Sequence, residues 1–172
     1  MDTSLMAEKR TNLQFLRKSR KRQREGDVFA MRLPDGQYLF GRVVGADLPR
    51  ERAPWEGALL LYIYDVLSDV REVDPDELTR DRLLLAPVHT NRLGWVKGYF
   101  ETITHRPLRP DDVLEQHCYW DPAREKYVDD YEHDIADPLE PCGTWGVAHY
   151  HYIDDLISDA VGIPRVPEGP GE

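Results

Sequence analysis

A chain of 172 residues with 41% hydrophobic and 10% aromatic side chains can fill one buried core, which excludes wholesale disorder. No apolar run approaches the ~18 residues of a membrane-spanning helix, and no apolar stretch follows the basic N-terminus as a secretory signal requires. The net charge of −10 is unevenly spread: residues 1–25 hold eight Lys/Arg against three Asp/Glu, so the rest carries −15, which repels phosphate backbones and attracts basic partners.

Residues 1–25 have a sparse apolar stripe through Leu13 and Leu16 and read as a basic, mobile or weakly helical segment. From Gly26 the period becomes two. Phe29, Met31 and Leu33 share one strand face, with Val28 and Ala30 on the other. Pro34-Asp35-Gly36 is a hairpin turn, since Pro presets φ and Gly accepts the left-handed conformation. The return strand is expected over Gln37–Val44. "GALLLYIYDVL" (57–67) is apolar on both faces and predicts a central strand.

"DPDEL" (74–78) predicts a short helix, with Asp74 as cap, Pro75 in the first position, and Leu78 and Leu83 packing inward. A further strand is expected from Trp95 to Ile103, with weaker strand signals at Leu85–Val88, Gln116–Trp120 and Trp145–His149. Ile153, Leu156, Ile157, Ala160 and Val161 fall at helical spacing, and Gly162 supplies the stop. The fold class is α+β, predominantly antiparallel β: a bent sheet or small barrel with a C-terminal helix and a short internal one. Residues 26–163 are expected to be a single domain, with 164–172 a flexible tail.

Catalytic signatures are thin. His149 and His151 would share a strand face and could seed a metal site or an acid/base pair, but no clear third ligand accompanies them. His117-Cys118 are strand neighbours pointing to opposite faces, which a Cys/His pair cannot tolerate. Cys118 and Cys142 lack metal-type spacing and read as free thiols in the cytoplasm. Trp55, Trp95, Trp120 and Trp145 read as core. No phosphate-binding glycine loop, nucleophile elbow or zinc-protease motif occurs, so neither an enzyme nor a cofactor is expected. "DDYEHDIADPLE" (129–140) packs six acids into twelve residues without a Lys or Arg. It reads as a solvated acidic loop or as a docking surface for a basic partner, with Tyr131 as anchor.

"EGDVFAMRLPDGQYLFGRVVG" resembles the opening of the immunity protein 26 family of bacterial polymorphic toxin systems. "LYIYDV", "GWVKGYF", and "PCGTWG" leading into "IDDLISDAVGI" extend the similarity over roughly residues 25–163. The resemblance implies a cytoplasmic, non-enzymatic antidote that binds and neutralises a cognate protein toxin. It transfers no contact residues. On charge and aromatic placement alone, the expected contacts are Asp129, Asp130, Tyr131, Glu132, Asp134, Asp137 and Glu140, facing a basic toxin. A nucleic-acid-binding or translation-associated small β-barrel using the basic arm is the alternative, and a hydrolase built on His149 and His151 is a third reading. The acidic body argues against nucleic acid.

Overall fold

The computed structural model describes residues 11–167; the expectations for residues 1–10 and for the last part of the tail, 168–172, fall outside them. β1 (Asp27–Arg32) and β2 (Tyr38–Leu48) form the expected hairpin. Its turn closes through Gly36 N–H donating to Leu33 O (2.9 Å) and Leu33 N–H to Gln37 O (2.8 Å), with Gly36 at φ 90° where a side chain would be strained. β3 (Ala58–Ser68) lies against β2, and β4 (Val88–Thr90), β5 (Glu101–His105) and β10 (Val147–Ala148) complete a six-stranded sheet in the order β10-β4-β3-β2-β1-β5. β10 joins β4 in parallel; the other pairings are antiparallel.

A second, smaller sheet has the order β8-β7-β6-β9, from β6 (Cys118–Asp121), β7 (Lys126–Val128), β8 (Asp134–Ile135) and β9 (Cys142–Thr144). Neither sheet closes into a barrel, so of the two expected forms the bent sheet is the one adopted.

The central strands are buried on both faces. One face carries Phe29, Met31, Val43, Leu61 and Ile63, packed with Trp95, Phe100, Ile153 and Ile157. The other carries Val28, Ala30, Phe40, Leu60, Tyr62 and Tyr64, packed with Tyr119 and Val128 of the second sheet. This double covering is why residues 58–64 show an unbroken apolar run rather than an alternation. The helix over the first face runs Tyr150–Val161 and ends on Gly162 at φ 80°, as its spacing predicted.

Two expectations change. Trp95 does not begin a strand: it sits in a one-turn helix, Leu93–Val96, started by Asn91 Oδ1 accepting from Leu93 N–H (3.0 Å), and β5 begins only at Glu101. The turn swings the indole inward, edge-on to Phe29 (5.0 Å) and Phe100 (5.2 Å), and that burial outweighs the strand propensity of the segment. Over residues 11–24 no helix forms. The chain is an extended strap, with Leu13 only 3% exposed in the first core. Asp154 of the C-terminal helix accepts from Asn12 N–H (2.9 Å) and Leu13 N–H (2.8 Å), satisfying backbone donors that a helix would have satisfied internally.

"DPDEL" does form its short element, a 3-10 turn over Pro75–Glu77 with Asp74 accepting from Asp76 N–H and Leu78 buried. It is locked to the sheet by a charge. Arg42 of β2, with no exposed surface, donates to Pro75 O (2.8 Å) and Leu78 O (3.4 Å) and pairs with Asp112 (3.0 Å). Asp112 also meets Arg106 (3.1 Å) and accepts from Arg109 N–H (2.7 Å). Burial pushes its carboxyl upward, but the Arg109 amide and the two guanidinium groups outweigh that and hold it below the usual range. Removing one partner strands the other's charge inside the protein. Asp112→Ala is therefore expected to cost about 3–5 kcal/mol, read as a lower midpoint in urea-induced unfolding.

Candidate functional site

The acidic segment is attached to the body by a buried polar chain. Asp130, at the end of β7, takes His117 Nδ1 at 2.8 Å on one oxygen and the Tyr119 hydroxyl at 3.1 Å on the other. His117 Nε2 lies 2.5 Å from the hydroxyl of Tyr62 on β3, which accepts from Leu114 N–H (3.0 Å). Asp130 donating nothing and Tyr62 holding its proton fit a His117 that donates from Nδ1 and accepts at Nε2. Burial pushes the Tyr62 hydroxyl up to about 12 and Tyr119 well above its ordinary value, with Asp130 adding to both shifts. Burial also presses Asp130 upward, but His117 and Tyr119 outweigh it and keep it a carboxylate.

The order Tyr–His–Asp is that of a proton relay, yet His117, Tyr62 and Tyr119 are all buried. The chain rivets the second sheet, and with it the start of the acidic segment, to the central strand.

Beyond Asp130 the segment turns outward. Asp129 closes the turn by accepting from Tyr131 N–H (2.8 Å) and His133 N–H (2.9 Å). Glu132 pairs with Arg124 (2.8 Å) and Asp134 with Lys126 (2.6 Å), whose ammonium holds that carboxyl below its usual range. Glu140 accepts from Cys142 N–H (3.3 Å), and Asp137 is exposed. Tyr131 is 52% exposed, stacked on His133, with the Arg52 guanidinium 5.7 Å from its ring centroid. Arg52 comes from the β2–β3 connection, which also carries Trp55, 65% exposed. All seven residues predicted as contacts are exposed or half-buried, and Asp130 is the one whose carboxylate is taken up by the buried His117 and Tyr119.

A family model for immunity protein 26 matches residues 24–129, more than half of the chain. The chain belongs to the immunity protein 26 family. In this immunity protein the match covers the hairpin, the central strands, the Arg42–Asp112 clamp and the second sheet through β7, and it stops where the acidic segment begins. No curated protein and no solved structure matches. Among the described residues, no helix is long and apolar enough to cross a membrane.

The other residues singled out from the sequence are dispersed. His149 and His151 are not on a strand: His149 precedes the C-terminal helix as its cap residue, and His151 lies in its first turn against the Tyr150 ring. Among the described residues, no three His, Cys, Asp or Glu side chains gather as a metal set. Cys118 and Cys142 are both free thiols and sit opposite one another on β6 and β9. Trp95 is core, whereas Trp55 is not. The expectation that Trp55 is core is thus corrected; "PRERAPWEG" around it, rich in charge, Pro and Gly, is a loop composition and the signal that marks an exposed indole.

Sequence reading passed over His89. It lies beneath the Tyr119 ring (4.9 Å) and beside Trp145 (5.5 Å), and neither ring nitrogen has a partner among the described residues. Burial drives its pKa down to about 4, against a weaker upward pull from Asp130. The unfolded chain, with His89 near 6.5, binds this proton more readily than the folded one, so stability falls as pH drops from 6.5 towards 4. The loss from this residue is about 3 kcal/mol. Urea midpoints recorded from pH 7 to pH 4 should show that slope in the native protein and a flatter one in His89→Phe.

Proposed function

We propose that this member of the immunity protein 26 family binds a cognate protein toxin in the cytoplasm and neutralises it without catalysis, through the face made by residues 129–140 and the Arg52–Trp55 connection. The observation that carries the reading is the exposure of Tyr131 and Trp55 next to Arg52, amid carboxylates. Aromatic and Arg side chains are the residue types that most often dominate interface energetics.

Each predicted acid has its own part in this reading. Asp137 and Glu140 are the freest to meet cations on a basic toxin. Glu132 and Asp134 already have Arg124 and Lys126 beside them, so they contribute less net charge and more local rigidity. Asp129 and Asp130 shape the segment from within. A negative face of this kind would occupy a groove evolved for phosphates, or any other basic toxin surface, and would accelerate association in a salt-sensitive way. The aromatic pair would slow dissociation.

The test begins with capture of partners from native lysate at low and high salt. A stoichiometric partner that arrests growth when expressed alone, and ceases to when this chain is co-expressed, is the expected result. Recovering only nucleic acid or ribosomal proteins would overturn it. Against the purified toxin, Tyr131→Ala and Trp55→Ala should each weaken binding about thirtyfold, as for a hot spot of ~2 kcal/mol. Asp137→Lys with Glu140→Lys should slow association and reduce its salt dependence. Unchanged affinity in all of these variants would move the interface elsewhere while leaving the immunity role standing.

A further inference from the structure

Opposite in charge to the acidic face, a second surface runs along β5. This strand ends the large sheet and, among the described residues, is hydrogen-bonded on one side only, to β1. Its other side opens on a cleft of about 460 Å³. The far wall is the basic strap, through Arg17, Lys18, Lys21, Arg22 and Arg24.

The strap is fixed in place by its backbone. Leu16 N–H and Arg17 N–H donate to Gly98 O (2.8 and 3.2 Å) and Ser19 N–H to Trp95 O (3.0 Å). Arg92 donates to Arg20 O (3.0 Å), and Arg24 N–H to Asp27 Oδ2 (2.9 Å). The backbone between these points is thus held beside the edge strand, and a ligand would have only the cationic side chains to order.

Their charges are unevenly compensated. Arg22 is paired with Asp47 (2.7 Å). Of the two carboxylates lining the cleft, Glu101 is held by Arg71 (2.9 Å), and Asp27 by His105 (2.7 Å) and Arg24 (3.6 Å). Arg17, Lys18 and Lys21 have no carboxylate partner among the described residues. An open strand edge offers main-chain donors and acceptors, and the three cations beside it call for negative charge.

We propose that the β5 edge cleft binds an extended, acidic segment of a protein partner, which adds to β5 as a strand while its carboxylates meet Arg17, Lys18 and Lys21. Main-chain pairing supplies affinity in such strand addition, and alternate side chains supply selectivity. β5 has five residues, so it templates a segment of roughly 17 Å. Thr102 and Thr104 are its exposed side chains and leave the lane without bulk. A nucleic acid would find the same cations but no use for the strand's N–H and C=O groups. An acidic protein segment is repelled by most of this acidic body, so the cleft is the place where it would settle.

The experiment uses the full chain and a fluorescein-labelled ten-residue peptide alternating Glu with Val. Comparison probes are the same peptide interrupted by two prolines and a ten-nucleotide single-stranded DNA. Anisotropy should show binding of the alternating peptide, at least tenfold weaker for the proline version and weaker still for the DNA. Arg17→Glu/Lys18→Glu/Lys21→Glu should lower affinity at least tenfold, with the Gln triple variant intermediate; these side chains lie on the surface, and matching thermal unfolding confirms an intact fold. Amide exchange at Thr102–Thr104 should slow when the alternating peptide is bound. Absence of binding, equal binding of the proline peptide, tighter binding of the DNA, or binding without protection of β5 would each overturn the proposal.

Discussion

The constraint on which this structure turns is that β2 and β3, eleven residues each, are apolar on both faces. A sheet with one wet face could have stood on a single layer. This one needs two covers, and no local segment provides either. The first cover is assembled from the C-terminal helix, the one-turn helix carrying Trp95 and the strap carrying Leu13. The second is the small sheet, brought down through Tyr119 and Val128. Most long-range features of the molecule are answers to that double demand, including the Asp154 side chain that fastens the strap to the helix.

The two covers are held differently. The first is an aromatic and aliphatic layer, where Trp95 meets Phe29 and Phe100 edge to face and those two rings tilt against each other. The second mixes Tyr, His and Asp, so its stability depends on satisfying polar groups as well as on area. Tyr62, His117, Asp130 and Tyr119 succeed in this; His89, beside them, does not. His89 thereby makes the layer between the two sheets responsive to pH, and the second sheet is also the part that carries the acidic segment.

What was legible from the sequence was whatever depends on neighbours along the chain. The 2.0 period of the first hairpin, its Pro-Asp-Gly turn, the unbroken run of β3 and the Gly162 stop all encode local geometry and were readable. The strap was not, because a charged segment with two leucines looks like a tail until the buried site for Leu13 is known. Trp95 was misassigned for a related reason: the pocket formed by Phe29 and Phe100 decides its conformation, and Phe29 is far away in sequence. In the acidic segment, composition pointed to the right stretch and concealed its inner division. Asp129 and Asp130 are identical neighbours on paper. Both side chains are half-buried, and only the imidazole of His117, just ahead of another strand, makes one a rivet to the body and leaves the other at the base of a surface turn.

Charge shows the same translation from sequence to space. Along the chain the first 25 residues carry net positive charge and the rest net negative, a contrast of tail against domain. Folded, residues 17–24 form one wall of the cleft beside β5, and the contrast becomes one between two surfaces of a single body. The distinction matters physically, because a charge on a free tail loses backbone as well as side-chain entropy when it meets a partner, whereas one on a backbone pinned by hydrogen bonds has only its side chain left to order. Arg17, Lys18 and Lys21 are pinned in this way through Gly98 and Trp95, as the acidic segment is pinned through Asp130. Both surfaces present charge from a fixed backbone, and in both the fixing comes from the covers that the double-faced sheet demanded.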